Sequence, residues 1–288
     1  MKAPEFDYVA PESVEAAVAA LCEDEDAKVL AGGQSLIALL NLRMTYPTTL
    51  VDLRRVPGLD AITADGTSVR IGAMARQRAA ERDPAIREHC PLLADALTRV
   101  AHPQIRSRGT IGGSVAHADP AAELPAVLLA LDGSVEVAGP GGARRRIAAV
   151  DLFAGFLTTS LEPGEIVVEV TLPAAGPRTG AACVEIARRH GDYAMCGAVA
   201  QVVRGEDGQV AEARLAFLGV SDTPVRARAA EAALTGTDGS TAAATAAAEH
   251  ALDGWEPLDD PQMSAEYRAH LARVVARRAF EQAMEKAA

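Results

Sequence analysis

The amino-acid sequence predicts an α+β fold, and three observations carry that prediction. Apolar alternation on either side of Asp65-Gly66, and again on either side of Gly139 to Gly142, marks antiparallel hairpins. Helical runs near residues 91–100 and 125–131 interrupt those strands. Three alternating segments between residues 182 and 220 then precede a tail of alanine-rich helix. Blocks of strands and blocks of helices, rather than a strict β-α alternation, argue against a doubly wound parallel sheet.

Taken in order, residues 1–57 read as a small α/β unit. Pro11 to Leu21 has helical periodicity with Pro11 or Ser13 near its start. Lys28 to Ala31 reads as a short strand, Leu36 to Met44 as a helix and Leu50 to Leu53 as a second strand, before Pro57-Gly58 breaks the chain. In residues 58–175 the hairpin at 61–71 is followed by strands at 134–138, 146–150 and 165–172. The segment Pro173 to Gly180, rich in proline and glycine, reads as a linker. Beyond it come strands at 182–187, 197–203 and 211–220, then helices at 225–234, 241–252 and 264–286, where strong helix propensity accounts for the alanines. The boundaries that follow are 1–175, divided into 1–57 and 58–175, and a C-terminal domain over 180–288.

Two glycine pairs stand where a strand should meet a helix: Lys28-Val-Leu-Ala-Gly-Gly-Gln-Ser-Leu-Ile37 and Gly109-Thr-Ile-Gly-Gly-Ser-Val-Ala-His-Ala-Asp-Pro120. Lacking a Cβ, paired glycines let backbone N–H groups close on a bulky anion. A plain turn explains either loop alone. Two of them, each with a hydroxyl or amide side chain and then an apolar run, suit a pyrophosphate held by N–H dipoles. The chain has no G-x-G-x-x-G after a strand and no G-x-x-x-x-G-K-[ST], which argues against a Rossmann or P-loop nucleotide site.

Composition narrows the remaining classes. The 288 residues carry a net charge of −11, which argues against nucleic acid and against anionic membranes. The densest basic cluster, Arg144 to Arg146, follows a Gly-Pro-Gly-Gly turn and reads as a solvated hairpin arm. The four cysteines, Cys22, Cys90, Cys183 and Cys196, lie far apart with no Cys-x-x-Cys pair, so neither zinc nor an iron–sulfur cluster is expected in this chain. The first ten residues include Glu5 and Asp7 and no apolar core, and the longest apolar run, Leu124 to Leu131, is too short to span a bilayer. The expectation is a cytoplasmic protein with reduced thiols.

Lys28 to Leu36, together with Pro103-Gln-Ile-Arg-Ser-Arg-Gly-Thr-Ile-Gly-Gly-Ser-Val-Ala-His-Ala-Asp-Pro-Ala-Ala-Glu-Leu-Pro125, resembles the FAD-binding medium subunit of the molybdenum hydroxylases. That family includes carbon monoxide and xanthine dehydrogenases, and the resemblance is nearest to the carbon monoxide dehydrogenase branch. It continues through Arg189-His-Gly-Asp-Tyr-Ala-Met195 into Ser264-Ala-Glu-Tyr-Arg268 and so covers nearly the whole chain.

The resemblance implies a two-subdomain FAD-binding fold of the vanillyl-alcohol-oxidase (PCMH) type, followed by a C-terminal domain with a small antiparallel sheet and helices. It implies a first pyrophosphate loop at Ala31, Gly32, Gly33, Gln34 and Ser35, flanked by Lys28, Leu30 and Leu36. Thr110, Gly112, Gly113 and Ser114 would supply the second, with Val100, His102 and Ile105 on its approach. His117 and Asp119 fall where the family meets the phosphate or ribose, Glu123 where it meets the ribose, Ile166 near the adenine, and Tyr193 against the isoalloxazine ring. Two positions depart from the common pattern: Ser114 replaces an asparagine, and Glu123 stands where relatives often carry aspartate. From the local sequence alone, Asp119 before Pro120 also reads as a helix N-cap.

The function implied is electron transfer. Electrons would arrive singly from iron–sulfur clusters of a small subunit, after substrate oxidation at a molybdopterin centre in a large subunit, and leave for an external acceptor. A dimer of heterotrimers is the expected assembly. Two other classes remain open at this level: a stand-alone flavin oxidoreductase acting directly on a small molecule, and a non-catalytic module that retains the fold.

Overall fold

A computed structural model describes residues 2–287. Among the described residues three larger sheets and their covering helices follow one another, with one two-stranded hairpin besides. Strands β1 (Asp7–Val9), β2 (Lys28–Leu30) and β3 (Thr49–Asp52) form a parallel sheet in the order β1-β3-β2. The helix Val14–Glu23 crosses between the first two, its N-terminus capped by Ser13, whose hydroxyl accepts from the Ala16 N–H at 3.1 Å.

Strands β4 (Ile62–Ala64), β5 (Ser68–Gly72), β6 (Ser134–Ala138), β7 (Arg144–Ala148) and a later one form the second sheet. A short hairpin, β8 (Phe153–Gly155) and β9 (Thr158–Thr159), precedes that strand, β10 (Ile166–Pro173). The sheet order is β4-β5-β10-β6-β7, all antiparallel, with β10 in the middle. The arginine run lies within β7: Arg144 and Arg145 project outward and pair with Glu136 at 3.2 Å and Glu165 at 2.7 Å.

The third sheet, β11 (Thr179–Ile186), β12 (Cys196–Arg204), β13 (Val210–Leu218) and β14 (Val225–Arg226), is antiparallel in chain order. Residues 196–200 of β12 are all buried because both faces of this sheet are covered. One face, through Cys183, Val199 and Ala216, joins the core beneath the helices Pro91–Arg99 and Glu123–Ala130. The other, through Ala182, Ala198 and Phe217, packs on the helices Arg228–Leu234, Thr241–Glu249 and Ala265–Lys286. Alanine at these contacts brings backbone close to backbone, as in the fully buried Ala276 and Ala279.

Some expected elements shift. The helix starting at Leu36 ends at Asn41, and the next two residues fold back, Arg43 with φ of 59°. The segment expected to be helical from Val225 opens instead as β14, since Pro224 favours extended backbone and Val225 pairs with Phe217. No helix among the described residues is long and apolar enough to cross a membrane.

Candidate flavin-binding site

The first glycine loop begins where β2 ends and leads into the helix Leu36–Asn41. Ile37 N–H donates back to the Gly33 carbonyl at 3.1 Å, which starts the helix. Among the described residues, the N–H groups of Gly32, Gly33, Gln34 and Ser35 have no protein acceptor. Four neighbouring donors left open at a helix N-terminus are suited to an anion.

The second loop is built differently. Its helix, Ile111–His117, is capped by Thr110, whose hydroxyl accepts from the Gly113 N–H at 3.1 Å. The N–H groups of Ile111 and Gly112 donate to the carbonyls of Ala75 and Ala73 at 3.0 and 2.9 Å. The expectation of N–H donors from both glycine pairs is therefore corrected: those of the second pair are already occupied. Its glycines serve close packing. A Cβ on Gly112 would overlap Ala73, and one on Gly113 would stand 3.3 Å from the Ala31 Cβ and 2.5 Å from Thr110 Oγ1.

The two loops touch. A Cβ on Gly32 would lie 2.5 Å from the Arg108 carbonyl oxygen and 2.8 Å from Gly109 Cα. Only glycine at position 32 lets the loops meet at this separation.

They open together into a cavity of about 670 Å³, within the range of cofactor sites. Every predicted site residue lines it except Leu30 and His102. Leu30 alternates away from Val29 and Ala31, packs under Gly33 and borders a second, neighbouring cavity. The exposed His102 carries its ring beneath Gly191, where a Cβ would come within 2.6 Å of Cε1. His102 thus supports the loop bearing Tyr193 rather than facing the cavity.

Tyr193 hangs from that loop beside Ser35 and Asp119; crowding by protein and the Asp119 charge push its phenol above the ordinary value. His117, half-buried at the end of its helix, has its pKa lowered by burial against the opposing pull of Asp119. It stands neutral at neutral pH. Asp119 does not cap the next helix as its sequence context suggested. Its Oδ1 accepts from the Ala121 N–H at 2.9 Å and closes a turn, while the helix starts later, at Glu123. Glu123 is buried, and that burial pushes its carboxyl up to about 8.

Sequence motifs missed part of the wall. Leu157 and Leu161 close one side from the β8–β9 hairpin region, Met74 and Ala101 come from turns, and Gln77 opens the short helix Gln77–Arg82. Only the helical punctuation around Arg76-Gln77 could have drawn attention to that segment.

The donor set fits FAD: an open row of N–H groups for a diphosphate, hydroxyls at Thr110 and Ser114, and an apolar stretch with an aromatic at its mouth. Comparisons with known proteins agree. Residues 4–175 match the family described as the FAD binding domain in molybdopterin dehydrogenase, and residues 181–283 match the carbon monoxide dehydrogenase flavoprotein C-terminal domain. The fold and site thus define a flavoprotein subunit of an FAD-dependent oxidoreductase.

The chain belongs to the FAD-binding medium subunits of the molybdenum hydroxylases. It is 44% identical to the 6-hydroxypseudooxynicotine dehydrogenase complex subunit alpha of Paenarthrobacter nicotinovorans, over 100% of this chain and 97% of that relative. It is 37% identical to the carbon monoxide dehydrogenase medium chain of Hydrogenophaga pseudoflava, over 99% of each. The solved carbon monoxide dehydrogenase from that organism, in a form lacking the Mo-pyranopterin moiety, superposes with a TM-score of 0.95 at 39% identity, covering 100% of both chains.

Proposed function

We propose that this chain is the electron-transfer subunit of a molybdenum hydroxylase complex. It takes electrons from iron–sulfur clusters of a small partner subunit and passes them to an external acceptor, while substrate is oxidised at a molybdopterin centre in a large partner. The observation that carries this reading is the row of acceptor-free N–H groups from Gly32 to Ser35 in a dinucleotide-sized cavity. It occurs in a chain alike, end to end, to medium subunits of multi-subunit dehydrogenases.

Bound FAD would supply the redox chemistry, accepting electrons singly and releasing them in pairs. The protein's own residues bind and orient. Gly32, Gly33, Gln34 and Ser35 would hold the diphosphate through backbone N–H groups, with Thr110, Gly112, Gly113 and Ser114 forming the facing wall. Lys28 and Leu36 would flank the first loop and Ile166 would lie near the adenine, while Val100 and Ile105 stand by the second loop. Tyr193 would cover the ring, and His117, neutral, would meet the phosphate or ribose without adding charge. Asp119 and Glu123 would lie along the ribose, the Glu123 carboxyl holding its proton at neutral pH. On this reading residues 1–175 carry the flavin and 180–288 form the second domain. The assembly is a cytoplasmic dimer of heterotrimers.

Co-purification from the native source, with flavin and metal analysis, tests the proposal. The expected result is FAD, molybdenum and iron in a complex containing two further subunits. A flavin-bearing chain that isolates without partners, and oxidises a small molecule by itself, overturns it.

A further inference from the structure

Among the cavity-lining residues outside both glycine loops is Gln77. Residues 76–77 run antiparallel to the start of the second loop: Arg76 and Thr110 form a bridge, and the Gln77 N–H donates to the Gly109 carbonyl at 2.9 Å. Arg76 turns its guanidinium onto the Arg108 carbonyl, the same oxygen against which Gly32 rests. Arg76 therefore fastens the seam between the loops. Gln77 does no such fastening.

Gln77 is 4% exposed and lines the cavity. Oε1 presses on Gly109 closely enough to exclude any Cβ there, and it is buried with no hydrogen-bond partner. Among the described residues, Nε2 donates to no protein group either. A glutamine kept for structure would satisfy its amide on nearby carbonyls, since a buried amide without partners is destabilising. With Oε1 turned toward Gly109, the NH2 end is the donor left for a ligand. Gln77 adjoins Gly109, which Gly32 of the first loop closely approaches, so an acceptor-rich, anionic ligand held by that loop is the one its amide suits.

We propose that Gln77 is a further cofactor-binding residue, donating from Nε2 to a phosphate oxygen of the FAD diphosphate. The inference rests on the flavin reading of this cavity.

The test uses the purified complex, stripped of flavin and titrated with FAD by fluorescence quenching, and with ADP as competitor. Gln77→Leu keeps the volume and removes the donor. Gln77→Glu keeps the shape and sets a carboxylate at the seam. The expected result is a roughly tenfold higher Kd for FAD in Gln77→Leu, a larger rise in Gln77→Glu, and the same factors for ADP. Flavin-free thermal stability of Gln77→Leu should be unchanged or higher, because an unpaired buried amide has gone. Wild-type FAD affinity in either variant overturns the proposal, as does a loss confined to FAD while ADP binds normally. A fall in flavin-free stability of Gln77→Leu with FAD affinity retained also overturns it, by showing a structural role. A wild-type complex that holds no flavin defeats the underlying reading instead, so the two failures are distinct.

Discussion

Glu81 meets Arg106 Nε at 2.9 Å, and the guanidinium it holds donates to the carbonyls of Val100 and Ala101 at 2.7 and 2.9 Å. Ala101 has a φ of 41°, a strained conformation for a residue with a Cβ, and both residues line the candidate cavity. Burial raises the Glu81 pKa, but Arg106 and Arg78 outweigh it and keep the carboxyl below its ordinary value. One ion pair thus holds a cavity wall in an unfavourable shape.

Glu81→Ala should destabilise the chain by about 3–5 kcal/mol, because it leaves the Arg106 guanidinium buried without its partner. Chemical denaturation of the variant measures this. Stability within 1 kcal/mol of the parent would mean that water replaces the carboxylate.

The contact between the glycine loops gives a second prediction. Gly32→Ala puts a methyl 2.5 Å from the Arg108 carbonyl oxygen and should empty the site of FAD. Gly176→Ala is its control, since a Cβ there meets nothing within 4 Å; it should change stability by no more than about 0.5 kcal/mol. The absorbance ratio of flavin to protein in purified samples compares the two.

Thr110 caps the helix of the second loop by accepting from the Gly113 N–H. Thr110→Ala should cost about 1 kcal/mol, and Thr110→Ser, which keeps the oxygen, only a few tenths. Equal losses in both would place the effect in the threonine methyl rather than the cap.

Glu123 makes stability depend on pH. Its folded pKa of about 8 lies above its ordinary value of 4.5, so the folded chain keeps a proton that the unfolded chain has released. Its favourable contribution is complete below 4.5 and is lost as pH rises through about 8, with a slope of up to about 1.4 kcal/mol per pH unit. Glu123→Gln should flatten that part of the profile and leave the variant the more stable at pH 9. Urea denaturation across pH 5–9 measures it, and identical slopes would refute the assignment.

Gly191 should resist substitution. With φ of 87° and the His102 ring against it, Gly191→Ala must shift the loop that carries Tyr193. The visible flavin spectrum should change while the unfolding midpoint moves little.

Much of the fold was legible because its strands and helices have strong periods. β5, β10 and β13 lie within a residue or two of their expected ends. Of the site, the first glycine loop could be read by resemblance, since what marks it is a row of consecutive backbone groups. The second was legible in position but not in role, because the carbonyls of Ala73 and Ala75 that occupy its N–H groups come from a turn over thirty residues earlier. Arg76 and Gln77 carry no pattern beyond the start of a short helix; their place in the site arises from lying alongside Gly109 and Thr110. Asp119 shows the opposite failure, a residue whose local pattern fits a cap while the chain uses it for a turn.

The cavity wall draws on segments from Lys28 to Tyr193. During synthesis, Tyr193 must leave the ribosome before the cavity is complete. The nascent chain therefore presents both glycine loops well ahead of the aromatic at the cavity mouth. A product truncated by translational arrest before that point would carry both loops and still lack a finished cradle.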